Sequence, residues 1–271
     1  LFRSYNYFVN GGTSLLVARV VSGSYTSATS SAVLNSINTS SFSASFVLST
    51  ISEGAIMNNT STETSGALAD GTADNVRWQI TNANSASGTF DLLIRRGDDN
   101  NLQPIILETW TGLNLDPNSP SYVARVIGDQ VQNYNSSNNQ IEITGSFPNR
   151  SNYVYVSNVN YTTLNFFDNN GNFKPQYTAS IPINGSGSFG GATGTIKGGA
   201  NFYNNIDEAT NSQGLVAGNY DNMVDLLANT DDYKFNVLLT PGIYDGGNFA
   251  DRKSTRLNSS HRCISYAVFC L

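Results

Sequence analysis

Short apolar runs alternate with clusters of Ser, Asn, Thr and Gly along most of the chain, and this pattern predicts many β-strands. In residues 42–50 the apolar positions Phe42, Phe46 and Leu48 all fall on even numbers, which is typical of a half-buried strand. Other runs have the length and the flanking turn residues of strands: NVRWQIT (75–81), TFDLLIRR (89–96), PIILETW (104–110) and SNYVYVSNV (151–159). The runs between residues 75 and 110 follow one another closely and predict three consecutive strands.

The segment at residues 5–21 predicts a strand, a turn at Asn10-Gly11-Gly12 and a second strand. The second half of this segment, LLVARVV, is almost continuously apolar, as in a strand that is covered on both faces. Residues 22–45 are rich in Ser, Thr and Asn and predict a loop. The polar stretch 58–74 predicts a mobile excursion.

A helix is predicted over residues 119–131, because the apolar positions there have helical spacing. Ser119 is placed to cap this helix and Pro120 suits its first turn. Val123, Val126 and Ile127 supply an apolar stripe along one face.

A second helix is predicted over residues 219–230, where Met223, Leu226 and Leu227 share one face, and an apolar run follows at 234–239. A helix that leads into a buried strand is an α/β signature. We therefore predict a mixed α/β, multi-domain fold. Its core sheet would include residues 14–21 and 234–239 and be packed by a helix at 219–229. Attached β-rich parts would come from residues 22–100 and 131–200.

The composition of residues 251–271 breaks from that of the preceding chain. They hold the only His, both Cys and four of the 14 basic residues. Residues 251–261 and 264–271 can each be coded, without exception, by one constant half of a common sequencing-library adapter, with 262–263 as the barcode between them. A natural basic tail would have to produce two adjacent matches in one frame. We therefore expect residues 251–271 to be non-native and exclude them from fold reasoning.

Charge and residue content exclude several classes of function. The chain has 20 acidic and 14 basic residues; without Asp251 and the four basic residues of the tail, residues 1–250 keep 19 and 10, a net charge of −9. They contain neither Cys nor His, which nucleophilic triads and zinc sites require. We predict no catalytic residue, no cofactor and no metal site, and so no enzyme. An acidic chain is also a poor ligand for nucleic acid, and no apolar run approaches the roughly 20 residues of a membrane span.

Two tripeptide or glycine motifs have a functional and a plain structural interpretation. The sequence Gly185–Gly190 (GSGSFG) matches the dinucleotide pattern G-x-G-x-x-G, which needs a helix to open at the turn. The residues that follow it, GATGTIKGG, cannot start a stable helix, so a flexible glycine loop is predicted. Arg96-Gly97-Asp98 spells the integrin-binding tripeptide, but its place after an apolar run predicts a turn at a strand end.

Three polar motifs are weaker still. Asp168-Asn-Asn-Gly-Asn resembles half a calcium loop, but its Gly falls at position 4 and no Glu occupies the twelfth position, so a turn is predicted. Glycosylation sequons at Asn59 and Asn160 are expected by chance at this Asn, Ser and Thr content. No particular pair of carboxylates stands out for glycoside chemistry.

A resemblance to a known family extends over most of residues 1–250. It lies in four blocks: YFVNGGTSLLVARV (7–20), FVLSTISEGAIMNN (46–59), LETWTGLNLDPNSPSYVARVIGD (107–129) and NNIDEATNSQGLVAGNYDNMVDLLANTDDYKFNVLLTPGIYD (204–245). Taken in order, these blocks resemble the tail sheath proteins of contractile phages, specifically those of T-even-like myophages. The block at 107–129 is the most specific and is similar to the family pattern almost residue for residue. Residues 131–200 carry no matching motif.

The resemblance implies a division of the chain. Residues 1–21 would belong to the sheath core and 22–100 to a β-rich inserted region. Residues 101–250 would return to the α/β core, with a loop- and β-rich excursion at 131–200. Family members begin before Leu1 and continue beyond Ala250, so both ends are expected to be missing here.

The resemblance also implies the function. The subunit would polymerise with itself as hexameric rings stacked helically around a tail tube, and contraction would drive the tube through the host envelope. Its partners would be further copies, the tail tube protein, and the baseplate and tail terminator proteins, without direct contact to nucleic acid and without membrane insertion. It would be found in the virion and, during assembly, in the host cytoplasm.

Two other readings remain open. A bacterial contractile injection system would use a similar sheath, and the neighbouring genes would separate it from a phage. A β-rich surface or adhesin-like protein would share the richness in Asn, Ser and Thr, but this class does not explain the segment at 114–129 or the helix before 234–239. No particular residue of the sequence supports a third class, an enzyme of carbohydrate metabolism.

The adapter hypothesis makes a direct prediction. We expect the uninterrupted gene from the same source to match this sequence up to about Ala250 and to diverge after it. Sequencing across that junction on long, untrimmed reads is the measurement. A genomic reading frame that continues into residues 251–271 would show that the tail is native.

Overall fold

The computed structural model describes residues 7–13, 15–16, 25–31, 44–60, 66–135, 137–138, 140–194, 217–233 and 269–270. The chain divides into two compact units. The larger one, here called the β-rich unit, comprises residues 24–133 and 142–195, and the other comprises residues 1–23, 134–141 and 196–271. The fold is β-rich and contains several sheets.

The strands, in chain order, are β1 (Leu15–Leu16), β2 (Ser27–Ser30), β3 (Phe46–Glu53), β4 (Val76–Asn84), β5 (Thr89–Arg96), β6 (Ile106–Asn114), β7 (Val131–Asn135), β8 (Gln140–Thr144), β9 (Val154–Val159), β10 (Gly185–Gly187), β11 (Phe189–Gly190) and β12 (Phe269–Cys270). The helices are α1 (Val123–Ile127), α2 (Pro175–Thr178) and α3 (Ala217–Leu227), with a 3-10 turn at Ala55–Met57. Strands β7 and β8 pair with each other as a two-stranded sheet.

The first sheet of the β-rich unit has the strand order β10-β4-β5-β6, and all its neighbours are antiparallel. Strands β4, β5 and β6 confirm the three consecutive strands predicted between residues 75 and 110. Alternate residues of β4 and β5, among them Trp78, Ile80, Leu92 and Ile94, are buried in the core. The sheet therefore has one apolar face, and the polar residues of these strands lie on the other.

The second sheet has the strand order β11-β2-β3-β9, again antiparallel throughout. Strands β3 and β9 confirm the predictions at 42–50 and 151–159 in their described parts. Phe46 and Leu48 of β3 are fully buried, as their spacing predicts, and Val154 and Val156 of β9 join them. Alternation with a period of two thus gives this sheet an apolar face as well.

The two sheets bury their apolar faces in one common core. Phe46 of β3 and Phe90 of β5 stack across it, with ring centroids 5.5 Å apart and ring planes 20° from parallel. Both rings are fully buried. This aromatic pair joins the two sheets directly, and packing of this kind adds to the free energy gained from burial alone.

The glycine-rich segment at 185–190 forms two short strands, so the prediction of a flexible loop is wrong. Strand β10 pairs with β4 in the first sheet and β11 pairs with β2 in the second, so the chain changes sheets at Ser188. Gly187 permits this crossing because a Cβ there would lie 2.4 Å from the ring of Trp78. The sequence does not predict these strands, because β10 contributes backbone hydrogen bonds and no apolar side chain.

The stretch 58–74 also differs from its prediction, since its described ends are firmly anchored. The side chain of Asn59 donates a hydrogen bond of 2.6 Å to the carbonyl of Val76 and accepts one of 2.6 Å from the backbone N–H of Phe189. Asn75 donates to the carbonyl of Asp70, at 3.1 Å, and Leu68 is buried. Polar side chains here satisfy buried backbone groups, and the sequence does not distinguish that role from solvation.

Helix α1 is shorter than the predicted helix at 119–131, and Ser119 does not cap it. Tyr122 occupies the position before the helix and makes no side-chain cap. The hydroxyl of Ser119 instead accepts from the amide of Asn114, at 2.7 Å, so it closes the preceding turn. Val123 and Ile127 are fully buried, which confirms the predicted apolar stripe.

The other unit differs from the predicted strand–turn–strand at 5–21. Residues 7–9 are helical, and Gly11 ends the helical turn with φ +90°. The N–H of Gly12 donates to the carbonyl of Tyr7 and that of Gly11 to Phe8, which is the Schellman pattern of a helix C-terminus. An Asn-Gly-Gly sequence is compatible with a helix C-terminus as well as with a hairpin turn. In this chain the backbone hydrogen bonds of Gly11 and Gly12 are those of a helix C-terminus.

Helix α3 confirms the helix predicted at 219–229. Of the strand predicted at 14–21, the structure describes Leu15–Leu16, which pairs antiparallel with Phe269–Cys270. The predicted strand at 234–239 lies outside the described residues. The mixed α/β core predicted from this region is therefore not part of the fold described here, which is β-rich.

The Phe46–Phe90 stack generates a stability prediction. We expect Phe46→Ala to lower the free energy of unfolding of the chain by about 3–5 kcal/mol, because it leaves a cavity between the sheets. Urea denaturation followed by tryptophan fluorescence is the measurement. Phe173→Ala is the matched control, since that ring is 43% exposed, and its cost should stay near 1 kcal/mol. Equal costs for the two variants would contradict the packing described.

Candidate functional site

Two arginines face each other on the polar side of the first sheet. Arg77 of β4 and Arg95 of β5 are directly opposite in the strand register. Both residues are almost fully buried, at 0% and 1% exposure. Like charges placed opposite each other across an antiparallel pair destabilise it, so this arrangement requires compensation.

The compensation comes from Asp99, in the turn that follows β5. Its carboxylate accepts two hydrogen bonds from Arg95, Nε to Oδ2 at 2.7 Å and Nη2 to Oδ1 at 2.8 Å. The backbone N–H of Ile105 donates to Oδ2 as well, at 2.7 Å. Asp99 is itself buried, and this two-pronged geometry is the strongest that Arg and a carboxylate form.

Arg77 is held less completely. Its Nη1 lies 3.4 Å from Oδ1 of Asp99, its Nη2 donates to Oγ of Ser186 at 3.3 Å, and Nη1 also donates to the carbonyl of Gly66. Its Nε has no hydrogen-bond partner among the described residues. Burial, and then the charge of Arg95, lower the pKa of the Arg77 guanidinium below its ordinary value, while Asp99 acts in the opposite direction.

The buried cluster therefore contains two guanidinium groups and one carboxylate, a formal charge of +1. Asp98, the neighbouring acidic residue, does not change this balance, because it pairs with Arg96 at the surface. Burying an unbalanced charge is costly, and such clusters mark positions where function can outweigh stability.

A groove of about 490 Å³ lies beside this cluster. It is lined by Gln79, Ile80, Thr81, Asn82, Arg95, Asn101, Pro104, Asn184, Gly185 and Ser186. Arg95 connects the groove with the cluster, since its Nη1 donates to Oε1 of Gln79 and Oδ1 of Asn101, both at 3.0 Å. The groove and the cluster together are the candidate site of the β-rich unit.

Of the motifs weighed in the sequence, the glycine motif at 185–190 contributes Gly185 and Ser186 to this groove, and those at 96–98 and 168–172 form turns. Residues 97–98 form the predicted turn after β5. The turn predicted at Asp168 is also confirmed: its carboxylate accepts from the backbone N–H groups of Asn172 and Asn170, at 2.9 and 2.8 Å. These hydrogen bonds, that of Asn172 first, lower the pKa of the Asp168 carboxyl. The described residues contain no group of three His, Cys, Asp or Glu arranged for a metal ion.

Arg77, Arg95 and Asp99 belong to none of the motifs that the sequence offers as candidate sites. A signal was present, since both arginines interrupt apolar strands at positions that alternate with buried residues. Alternation alone places them on the solvent face of the sheet. The return of the chain at 97–105, together with Gly66 and Ser186, covers that face, and the sequence does not specify these paths.

In the described part of the chain no helix has the length and the apolar character that a membrane crossing requires. Comparisons of the chain with protein-family models, with curated proteins and with solved structures give no match.

The cluster generates a prediction for Asp99. We expect Asp99→Asn to lower the free energy of unfolding by about 3–5 kcal/mol, because it leaves two buried guanidinium groups without a counter-charge. Asp98→Asn makes the same chemical change one residue away, at an exposed surface pair, and should cost less than about 1 kcal/mol. Urea titrations of the two variants test this, and similar costs would contradict a buried role for Asp99.

Proposed function

We propose that this chain is part of a structural subunit of a phage contractile tail sheath. In this proposal the subunits polymerise around the tail tube and contract to drive it through the host envelope. The observation that carries the proposal is the segment at 107–129, whose sequence is similar to the sheath pattern almost residue for residue. The chemistry of that segment in the structure explains why its residue types are needed.

The segment leaves β6 and turns into α1. Asn114 accepts from the backbone N–H of Asp116, at 3.2 Å, and Asp116 accepts from the N–H of Asn118, at 3.0 Å. These are side-chain-to-backbone bonds that only short polar side chains make, and they define the turn. Leu115 and Val123, on either side of it, are fully buried.

The same segment ties distant parts of the unit together. The carbonyl of Leu115 accepts from the N–H of Thr163, at 3.0 Å, and Oδ2 of Asp116 accepts from the N–H of Asn165, at 3.1 Å. Ser151 Oγ donates to Glu108 Oε2 at 2.6 Å. These contacts give the Asn, Asp, Ser and Glu residues of the segment defined structural roles within this unit.

The proposal includes a mixed α/β core. Its sheet would contain residues 14–21 and 234–239, with the helix at 219–229 packed on it, and the β-rich parts would be attached or inserted. The division into 1–21, 22–100 and 101–250, with an excursion at 131–200, belongs to the same proposal.

Assembly requires no catalytic site. Head-to-tail contacts that do not close generate a helical polymer, and here hexameric rings would stack helically around the tube protein, between baseplate and terminator proteins. Contraction needs two packings of the same subunits, with the contracted one lower in free energy. The protein would act in the virion, after assembly in the host cytoplasm, without binding nucleic acid or inserting into a membrane.

A bacterial contractile injection sheath is the alternative within the same architecture. Neighbouring genes decide between them: capsid genes beside the tube and baseplate genes indicate a phage, and secretion genes indicate an injection system. A β-rich adhesin would share the two packed sheets but not the segment at 107–129.

Electron microscopy tests the assembly directly. We expect the full-length product of the uninterrupted gene, expressed alone and concentrated, to form tubular particles with stacked rings. The chain of 271 residues, prepared in parallel, should form none, because residues 251–271 are predicted to be non-native. Full-length protein that stays monomeric at high concentration would contradict the proposal.

A further inference from the structure

Three polar side chains of the groove have their hydrogen-bond acceptors occupied from the protein side. Oε1 of Gln79 accepts from Arg95, Oγ of Ser186 from Arg77, at 3.3 Å, and Oδ1 of Asn184 from the backbone N–H of Ala83, at 2.9 Å. Guanidinium and backbone N–H groups can only donate. The orientation of both amides is therefore fixed by their partners.

What remains at these three side chains is a set of donors. The Nε2 of Gln79, the Nδ2 of Asn184 and the hydroxyl hydrogen of Ser186 have no acceptor within the described residues. Ser186 and Gln79 are directly opposite in the pairing of β10 with β4, so their side chains are neighbours on one face. The groove thus offers several donors close together.

Two other side-chain amides that line the groove make different hydrogen bonds. Asn82 donates to Oδ2 of Asp91, at 2.7 Å, and so presents an oxygen. Asn101 accepts from Arg95, and its Nδ2 lies over Gly66. The donor set therefore consists of Gln79, Asn184 and Ser186.

The charge of the cluster beneath has the same sign as these donors. Arg77 and Arg95 exceed Asp99 by one positive charge, and the buried Nε of Arg77 has no partner among the described residues. In a chain of net charge −6, the buried cluster beside this groove carries a formal charge of +1. Donors and a surplus of positive charge at one place favour a ligand that is both anionic and rich in acceptors.

We propose that the groove bordered by Gln79, Asn184 and Ser186 binds an oxyanion, a carboxylate or phosphate group, over the Arg77–Arg95–Asp99 cluster. A cation would meet the surplus positive charge, and an apolar ligand would bury the donors without partners. The oxyanion could be a free small anion or an acidic side chain of a second copy of this acidic chain. The binding chemistry is the same in both cases and does not depend on the sheath proposal.

Calorimetric titration of the 271-residue chain with inorganic phosphate tests this proposal, at constant ionic strength with chloride as the background anion. We expect saturable binding of phosphate. Gln79→Glu replaces a donor with a carboxylate and neutralises the surplus charge, so it should weaken phosphate binding by about tenfold or more. Gln176→Glu makes the same change on the exposed helix α2 and should leave binding unchanged.

Asn184→Asp is the second variant. Its side chain is exposed and keeps an oxygen for the N–H of Ala83, so folding should be unaffected while a donor of the groove is lost. We expect the same weakening as for Gln79→Glu. Absence of saturable phosphate binding, or equal affinity in the wild type and both groove variants, would overturn the proposal.

Sedimentation at several protein concentrations, with and without phosphate, separates the two sources. Association that phosphate reverses, and that Gln79→Glu abolishes, assigns the groove to an acidic side chain of a second copy. Phosphate binding by a chain whose sedimentation is unaffected assigns it to a free anion. Each of these two results supports the oxyanion site, and the two calorimetric outcomes named above overturn it.

Discussion

The pairing of β4 with β5 places two guanidinium groups opposite each other, and the buried carboxylate of Asp99 makes that pairing tolerable. Without it, the register that brings Trp78 and Ile94 together on the core side would set Arg77 against Arg95 on the other. The turn after β5 returns the carboxylate to this point. The contact of Asp99 with the two arginines therefore makes the strand register that also pairs Trp78 with Ile94 compatible with two buried positive charges.

The two faces of this sheet have different tasks. Its apolar face packs on the second sheet through the Phe46–Phe90 stack and provides the stability of the β-rich unit. Its polar face retains a surplus charge that stability alone does not explain, and the groove lies beside it.

Apolar runs bounded by turn residues predicted the strands β3, β4, β5, β6 and β9, and in β3 the alternation also predicted which residues, Phe46 and Leu48, are buried. The prediction failed where backbone hydrogen bonding between strands, or coverage of a sheet face by another segment, determines the structure. Strand β10 has no apolar side chain, so its sequence predicted a loop. The sequence Asn10-Gly11-Gly12 is compatible with a helix C-terminus as well as with a hairpin turn. The sequence did not predict the candidate site either, because the burial of Arg77 and Arg95 depends on a turn that is distant from Arg77 in the sequence.

The most direct test compares the free energies of unfolding of Arg77→Met and Arg95→Met, measured by urea denaturation. Met keeps most of the apolar stem and removes the charge. Asp99 binds Arg95 with two short bonds and Arg77 with one long contact, so Arg77 carries the surplus. Arg95→Met breaks a buried ion pair and should therefore lower the free energy of unfolding by about 3–5 kcal/mol. Arg77→Met removes an excess charge, so its cost should be smaller by about 2 kcal/mol or more. Equal costs, or a larger cost for Arg77→Met, would contradict a surplus charge beneath the groove.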